Sequence, residues 1–82
     1  LMETALAEMS VYPNPTNGLL YFTSNEDIEA LSITIYNSNG QLVLSKLQQS
    51  EEALDISKLP QAMYFIEVRA KGSVQRMRIL KQ

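Results

Sequence analysis

A chain of 82 residues with 45% hydrophobic side chains is long enough for one domain with one modest core. It contains no histidine and no cysteine, which excludes disulfide bonds, the common zinc sites and catalysis by His or Cys nucleophiles. No apolar run approaches the roughly 20 residues that a membrane-spanning helix needs.

The net charge of −2 conceals an asymmetry along the chain. All nine carboxylates and only two lysines precede residue 69, and no acid follows it. Two interpretations remain open: solvated outer faces of two strands, or a basic patch that faces a partner. The basic residues of this last part are Arg69, Lys71, Arg76, Arg78 and Lys81.

The beginning of the chain predicts a connection to other sequence. Leu1–Glu8 has weak patterning and no signal-peptide features, so we interpret it as a linker or the remnant of an upstream chain. Met9–Tyr12 predicts a short first strand. Pro13 and Pro15 then restrict the residues before them to extended geometry, and Asn17-Gly18 predicts a tight turn. This stretch is therefore predicted to form a stiff elbow that leads into the next strand.

Period-2 alternation dominates the rest of the chain and predicts half-buried strands. Leu31, Ile33 and Ile35 alternate with polar residues, and Tyr64, Ile66 and Val68 share one parity in the first arm of a hairpin closed by Lys71-Gly72-Ser73. The remaining predicted elements are strands at Leu19–Thr23, Gln41–Leu47, Leu54–Ile56 and Val74–Leu80, a turn at Asn37–Gly40 and a polar loop at Gln48–Glu52. About seven short strands with regularly spaced turns predict an all-β antiparallel sandwich.

Few residues offer reactive chemistry. Glu26-Asp27 and Glu51-Glu52 are adjacent acids in predicted loops, where solvation explains them better than general acid–base catalysis does. The turn at Asn37–Gly40 lacks the carboxylates of a calcium loop, and the basic residues lack the aromatic ladder of a nucleic-acid surface. We therefore predict no enzyme, no cofactor, no metal site and no nucleic-acid partner.

Four blocks, in this order and spacing, carry a more specific resemblance. They are Val11–Gly18 (VYPNPTNG), Ile35–Val43 (IYNSNGQLV), Leu54–Tyr64 (LDISKLPQAMY) and Arg76–Gln82 (RMRILKQ). Together they resemble the C-terminal sorting domain of the type IX secretion system over about residues 9–82. One departure is Ala62, where the family commonly has glycine, so this residue is expected either to have negative φ or to be strained.

The resemblance implies an immunoglobulin-like sandwich of seven strands that serves as a non-catalytic secretion signal in Bacteroidetes-type bacteria. The implied partners are the outer-membrane translocon, a shuttle receptor and a sortase-like peptidase that removes the domain and attaches the cargo to the surface. The implied location is the periplasm in transit to the outer membrane, the cell surface or the exterior. The implied recognition residues are Pro13, Pro15, Gly18, Gly40, Arg76, Arg78, Ile79, Leu80 and Lys81.

Two alternatives remain open beside this interpretation. Exposed Tyr21, Tyr36 or Phe65 could act as sugar platforms in a carbohydrate- or surface-binding module. An exposed edge strand could instead extend the sheet of a neighbour, which predicts an edge-strand homodimer or a structural interaction domain.

Overall fold

The computed structural model describes residues 9–25 and 28–82, and all regular elements in these ranges are β-strands. The all-β prediction is therefore confirmed, whereas the predicted linker at Leu1–Glu8 lies outside the described residues. Nothing in the two ranges forms a helix that could cross a membrane. The strands are β1 (Met9–Tyr12), β2 (Leu19–Ser24), β3 (Ala30–Asn37), β4 (Leu42–Gln49), β5 (Leu54–Asp55), β6 (Ala62–Ala70) and β7 (Ser73–Lys81).

The strands form two antiparallel sheets with the orders β1-β2-β5 and β4-β3-β6-β7. These orders correspond to the A-B-E and C′-C-F-G sheets of immunoglobulin-like sandwiches. The tyrosine corner of that fold is also present, because the hydroxyl of buried Tyr64, near the start of β6, donates a 2.6 Å hydrogen bond to the carbonyl oxygen of Pro60. Topology and corner together agree with the predicted immunoglobulin-like fold.

The core lies between the two sheets and is built by alternate residues of each strand. In the four-stranded sheet, Ile33 and Val68 are fully buried, as the sequence pattern predicted. The three-stranded sheet contributes Leu20, Phe22 and Leu54 from the opposite side. Burial of these side chains is the main favourable term for a domain of this size, since it has no disulfide bond.

The two predicted turns of the four-stranded sheet are confirmed. Between β6 and β7, Lys71 and Gly72 both have positive φ, 51° and 77°, as in a type I′ hairpin. Between β3 and β4, the side-chain oxygen of Asn37 accepts hydrogen bonds from the backbone N–H groups of Asn39 and Gln41. Gly40 supplies the positive φ, 82°, that this turn requires.

The structure corrects one local expectation, the start of the predicted loop at Gln48, and settles the backbone geometry of Asn17 and Ala62. Gln48 and Gln49 belong to β4, not to a loop, and Gln48 is buried with its amide nitrogen donating to the carbonyl oxygen of Glu52. Asn17 does not take positive φ, because Lys71 is the only such non-glycine residue among those described. Ala62 consequently has ordinary negative φ at the start of β6, so no strain arises where the family commonly has glycine.

Candidate recognition site at the edge of β7

The segment between β1 and β2 crosses to the edge of β7 and is held there by backbone hydrogen bonds. The N–H of Thr16 donates to the carbonyl oxygen of Leu80 over 2.9 Å, and the N–H of Gln82 donates to the carbonyl oxygen of Thr16 over 2.8 Å. The result is a parallel bridge between Thr16 and Lys81. We call residues 13–18 the elbow; its Tyr12–Pro13 and Asn14–Pro15 peptide bonds are both cis.

The carboxamide of Asn14 extends this pairing by one more pair of hydrogen bonds. Its nitrogen donates to the carbonyl oxygen of Arg78 over 2.9 Å, and its oxygen accepts from the N–H of Leu80 over 3.0 Å. The side chain thus supplies the donor and acceptor that the peptide group of a neighbouring strand would supply. Pro13 and Pro15, on either side, have no N–H to offer, so the side chain of Asn14 takes over this function.

The free edge of β7 is therefore shorter than the strand itself. In an antiparallel ladder both polar groups of a residue point to the same side, so Arg76 and Val74 direct their backbone groups outward like Leu80. Between the second half of β7 and β1 lies a cleft of about 580 Å³ whose lining includes Val11, Met77 and Ile79. The elbow thus covers the second half of the β7 edge, where the cleft also lies, and its hydrogen bonds do not extend to Val74 and Arg76.

Two buried residues fix the elbow to the rest of the domain. Thr16 is 1% exposed, and its hydroxyl donates to the carbonyl oxygen of Leu19 over 2.6 Å while accepting from the N–H of Gly18 over 3.1 Å. The carbonyl oxygen of Gly18 in turn accepts a 2.7 Å hydrogen bond from the N–H of Ile56. The elbow is therefore attached to β2, to the segment after β5 and to β7.

The predicted recognition residues lie in three places in the structure: the elbow, β7 and the turn at Gly40. Pro13, Pro15 and Gly18 belong to the elbow, and Arg76, Arg78 and Leu80 are exposed on the outer face of β7. Ile79 and Lys81 face inward and are buried, with the ammonium of Lys81 donating to the carbonyl oxygen of Ser57 over 3.3 Å. Gly40 lies apart from both groups, because β6 separates its turn from β7.

Sequence reasoning missed Asn14 and Thr16, which make the contacts that join the elbow to β7. The available signal was local: each is a hydrogen-bonding side chain directly after or between prolines. The hydrogen-bond partners of Asn14 lie 64 and 66 residues away in the sequence, and no local sequence pattern specifies such a pairing.

The outer face of the sheet carries one compensated carboxylate. Burial opposes ionisation of Glu67, but hydrogen bonds from Arg69 and Arg76 and the charges of these two side chains outweigh it, so the pKa of Glu67 lies below its ordinary value. The distances are 3.0 Å from Arg69 and 2.8 Å from Arg76. Both guanidinium groups remain largely exposed, so they offer further donors on the surface.

The aromatic residues considered as sugar platforms are divided between the two sheets. Tyr21 stacks on Tyr12 with ring centroids 5.6 Å apart, on the three-stranded sheet. Tyr36 and Phe65 are paired neighbours on the four-stranded sheet. They therefore do not form one continuous platform. Among residues 9–25 and 28–82, no group of side chains is arranged to hold a metal ion.

Comparison with protein families gives a match over residues 10–82 to the secretion system C-terminal sorting domain. The chain belongs to this family. The match includes the elbow and all of β7, so the two parts that contact each other in the structure both lie in the sorting domain. Comparison with curated proteins gives no match. Membership implies a signal of the type IX secretion system, in a protein that is secreted towards the outer membrane or surface and interacts with that system.

We expect Asn14→Asp to weaken the attachment of the elbow selectively. An aspartate can still accept a hydrogen bond from the N–H of Leu80, but it cannot donate one to the carbonyl oxygen of Arg78. Its second carboxylate oxygen would instead face that carbonyl oxygen and repel it. Loss of one hydrogen bond costs about 0.5–1.5 kcal/mol, and Asn14→Ala, which loses both, should cost about twice that.

The measurement is urea unfolding together with hydrogen exchange of the N–H of Leu80. Exchange there should accelerate more in Asn14→Ala than in Asn14→Asp. Asn39→Asp is the matched control, since only the backbone of Asn39 takes part in its turn. Equal stability of all three variants and wild type would contradict the role of Asn14.

Proposed function

We propose that this sorting domain is a non-catalytic address that directs an attached cargo through the type IX outer-membrane translocon. A shuttle receptor engages the folded domain, and a sortase-like peptidase then removes the domain on its N-terminal side and attaches the cargo to the surface. Residues 9–82 act as the address and Leu1–Glu8 as the linker to the cargo. The location is the periplasm in transit to the outer membrane, the cell surface or the exterior.

The observation that carries the proposal is the family match over residues 10–82, and the fold is compatible with it. The elbow follows β1, and it is hydrogen-bonded to β7, the strand in which the predicted recognition residues are concentrated. The N-terminal and C-terminal parts of the domain are thereby joined in one folded unit. This connection supports an address that works as a folded domain.

An export assay tests the proposal. The 82-residue chain is fused to the C-terminus of a fluorescent reporter that is delivered to the periplasm of a type IX-competent bacterium. We expect the reporter to reach the surface or the medium, and to stay periplasmic when the chain is absent or when the translocon gene is deleted. Release of a reporter shortened by the mass of the domain would support removal by the peptidase. Retention of the full fusion in the periplasm of the competent host would refute the proposed function.

A further inference from the structure

The outer face of the four-stranded sheet is apolar at one end, where a solvated sheet face would normally be polar. Leu42 is 59% exposed, Phe65 42%, and Met63 and Leu80 38% each. Together with half-buried Tyr36 these side chains form what we call the outer-face patch. Clustered exposure of large apolar side chains on a monomer is typical of an interaction surface.

The register of the sheet makes the outer-face patch continuous across all four strands. Tyr36 of β3 pairs with Leu42 of β4 on one side and with Phe65 of β6 on the other. Met63, two residues before Phe65 on the same face, pairs with Leu80 of β7. Directly paired residues have Cβ atoms about 4.5–5.5 Å apart, so these side chains are immediate neighbours.

Positive charge borders the outer-face patch on one side. Arg78 pairs directly with Phe65, and Arg76 and Arg69 follow at the next positions of the same face. Glu67 is the single acid among the outward residues of β3, β4, β6 and β7, and it is already bonded to two guanidinium groups. Three arginines against one carboxylate leave an excess of two positive charges beside the apolar surface.

We propose that the outer-face patch docks a protein surface with an apolar centre and flanking carboxylates. The inference rests on the proposed function, and it assigns the docking partner to the secretion system. Charge complementarity selects this occupant. A second copy of the domain docked patch to patch would add the same positive charge and offer Arg78 no available carboxylate, because Glu67 is already bonded to two arginines, whereas a partner with flanking carboxylates would pair with Arg78. The covered second half of the β7 edge agrees with docking on the face, because Asn14 and Thr16 already occupy the hydrogen-bonding groups that an added strand would need.

Matched substitutions on one strand separate the patch from general effects of a polar surface. Leu42→Ser removes a patch residue, and Leu47→Ser removes a leucine of the same strand that is 74% exposed and lies outside the patch. Arg78→Glu reverses the bordering charge, with Lys58→Glu as its control. Arg76 is left unchanged, since its loss would disturb the pairing of Glu67.

The readout is export of the reporter fusion in the type IX-competent host, with urea unfolding of each purified variant. We expect Leu42→Ser combined with Phe65→Ser, and separately Arg78→Glu, to reduce export about tenfold, as loss of an interface hot spot does. Leu47→Ser and Lys58→Glu should export like wild type. If the wild-type fusion is exported and the folded patch variants are exported equally well, the docking surface is wrong and the proposed function still holds. If the wild-type fusion itself is retained in the periplasm, the proposed function is refuted.

A photocrosslink identifies the occupant. Phe65→p-benzoylphenylalanine in the fusion should yield an adduct with an outer-membrane component of the export system, identified by mass spectrometry, and Leu47→p-benzoylphenylalanine should not. An adduct only with a second copy of the fusion would overturn the proposal. The proposal would also be overturned if no protein adduct formed and the wild-type domain floated with phosphatidylglycerol vesicles while Arg78→Glu did not. The surface would then bind anionic lipid.

Discussion

Removal of residues 78–82 should prevent the domain from folding, and it should abolish export for that reason. Ile79, in the deleted segment, is 2% exposed in the core, and loss of such a side chain costs about 2–5 kcal/mol. The deletion also removes the partners of Asn14 and Thr16 at Arg78, Leu80 and Gln82, at about 0.5–1.5 kcal/mol for each hydrogen bond. The summed loss is comparable to the whole free energy of unfolding of a typical domain, about 5–15 kcal/mol.

The measurement is the urea unfolding curve and the amide dispersion in an NMR spectrum of the truncated chain. We expect the urea curve of the truncated chain to show no cooperative transition and its amide chemical shifts to be poorly dispersed. Leu80→Ser in the full chain is the control, because it keeps every backbone hydrogen bond of β7 and changes only an exposed side chain. A truncated chain that unfolds cooperatively near the wild-type midpoint would show that the terminal strand is dispensable for the fold.

The contrast between the two variants bears on how signals of this family should be dissected. A truncation of β7 removes the predicted recognition residues and the fold together, so loss of export would not distinguish a recognition effect from unfolding. Outward substitutions at Arg78 or Leu80 change the surface alone, since the inward residues Ile79 and Lys81 alternate with them. Export assays are therefore informative about recognition only when they are made with outward substitutions.

The strands could be predicted from the sequence because their signal is local. In β3 and β6, Ile33, Ile35, Ile66 and Val68 recur with period 2, and all four are buried in the structure. The predicted end of β4 was wrong because a local pattern of polar residues indicates a loop at Gln48. A side-chain amide can nevertheless be buried in a strand when its nitrogen donates a hydrogen bond to a carbonyl oxygen, here that of Glu52.

The candidate site could be predicted only in part. The proline pattern indicated a rigid elbow, and the family resemblance indicated β7, but the sequence contained nothing that joined them. That connection depends on Thr16 meeting Leu80 and Gln82, and such long-range pairing is determined by the packing of the whole sandwich. The outer-face patch was missed similarly, since Leu42, Met63 and Leu80 become neighbours only through the register of four strands.

Gly18 occupies the most crowded glycine position, and its replacement should be the most damaging single change in the elbow. A Cβ atom there would lie 3.0 Å from the Cβ and 3.2 Å from the Cα of Ser57. The backbone cannot simply move away, because the carbonyl oxygen of Gly18 holds the N–H of buried Ile56 at 2.7 Å. The φ of 156° adds backbone strain for an L-residue.

We expect Gly18→Ala to destabilise the domain by about 2–6 kcal/mol, from overpacking of about 1–3 kcal/mol and backbone strain of about 1–3 kcal/mol. Gly40→Ala is the matched control, since Gly40 also has positive φ but a Cβ there would have open space around it. Gly40→Ala should cost only the strain of an L-residue in the left-handed region, about 1–2 kcal/mol. Urea unfolding of both variants measures the difference.

A double-mutant cycle isolates the cause. Ser57→Gly removes the closest atom from the path of the new Cβ, so Gly18→Ala should be less destabilising in that background than in wild type. The rescue should be partial, because the Cα of Ser57 remains at 3.2 Å. Equal costs of Gly18→Ala in the two backgrounds would mean that the side chain of Ser57 does not set the limit, and equal costs of Gly18→Ala and Gly40→Ala would mean that backbone strain alone explains the need for glycine in the elbow.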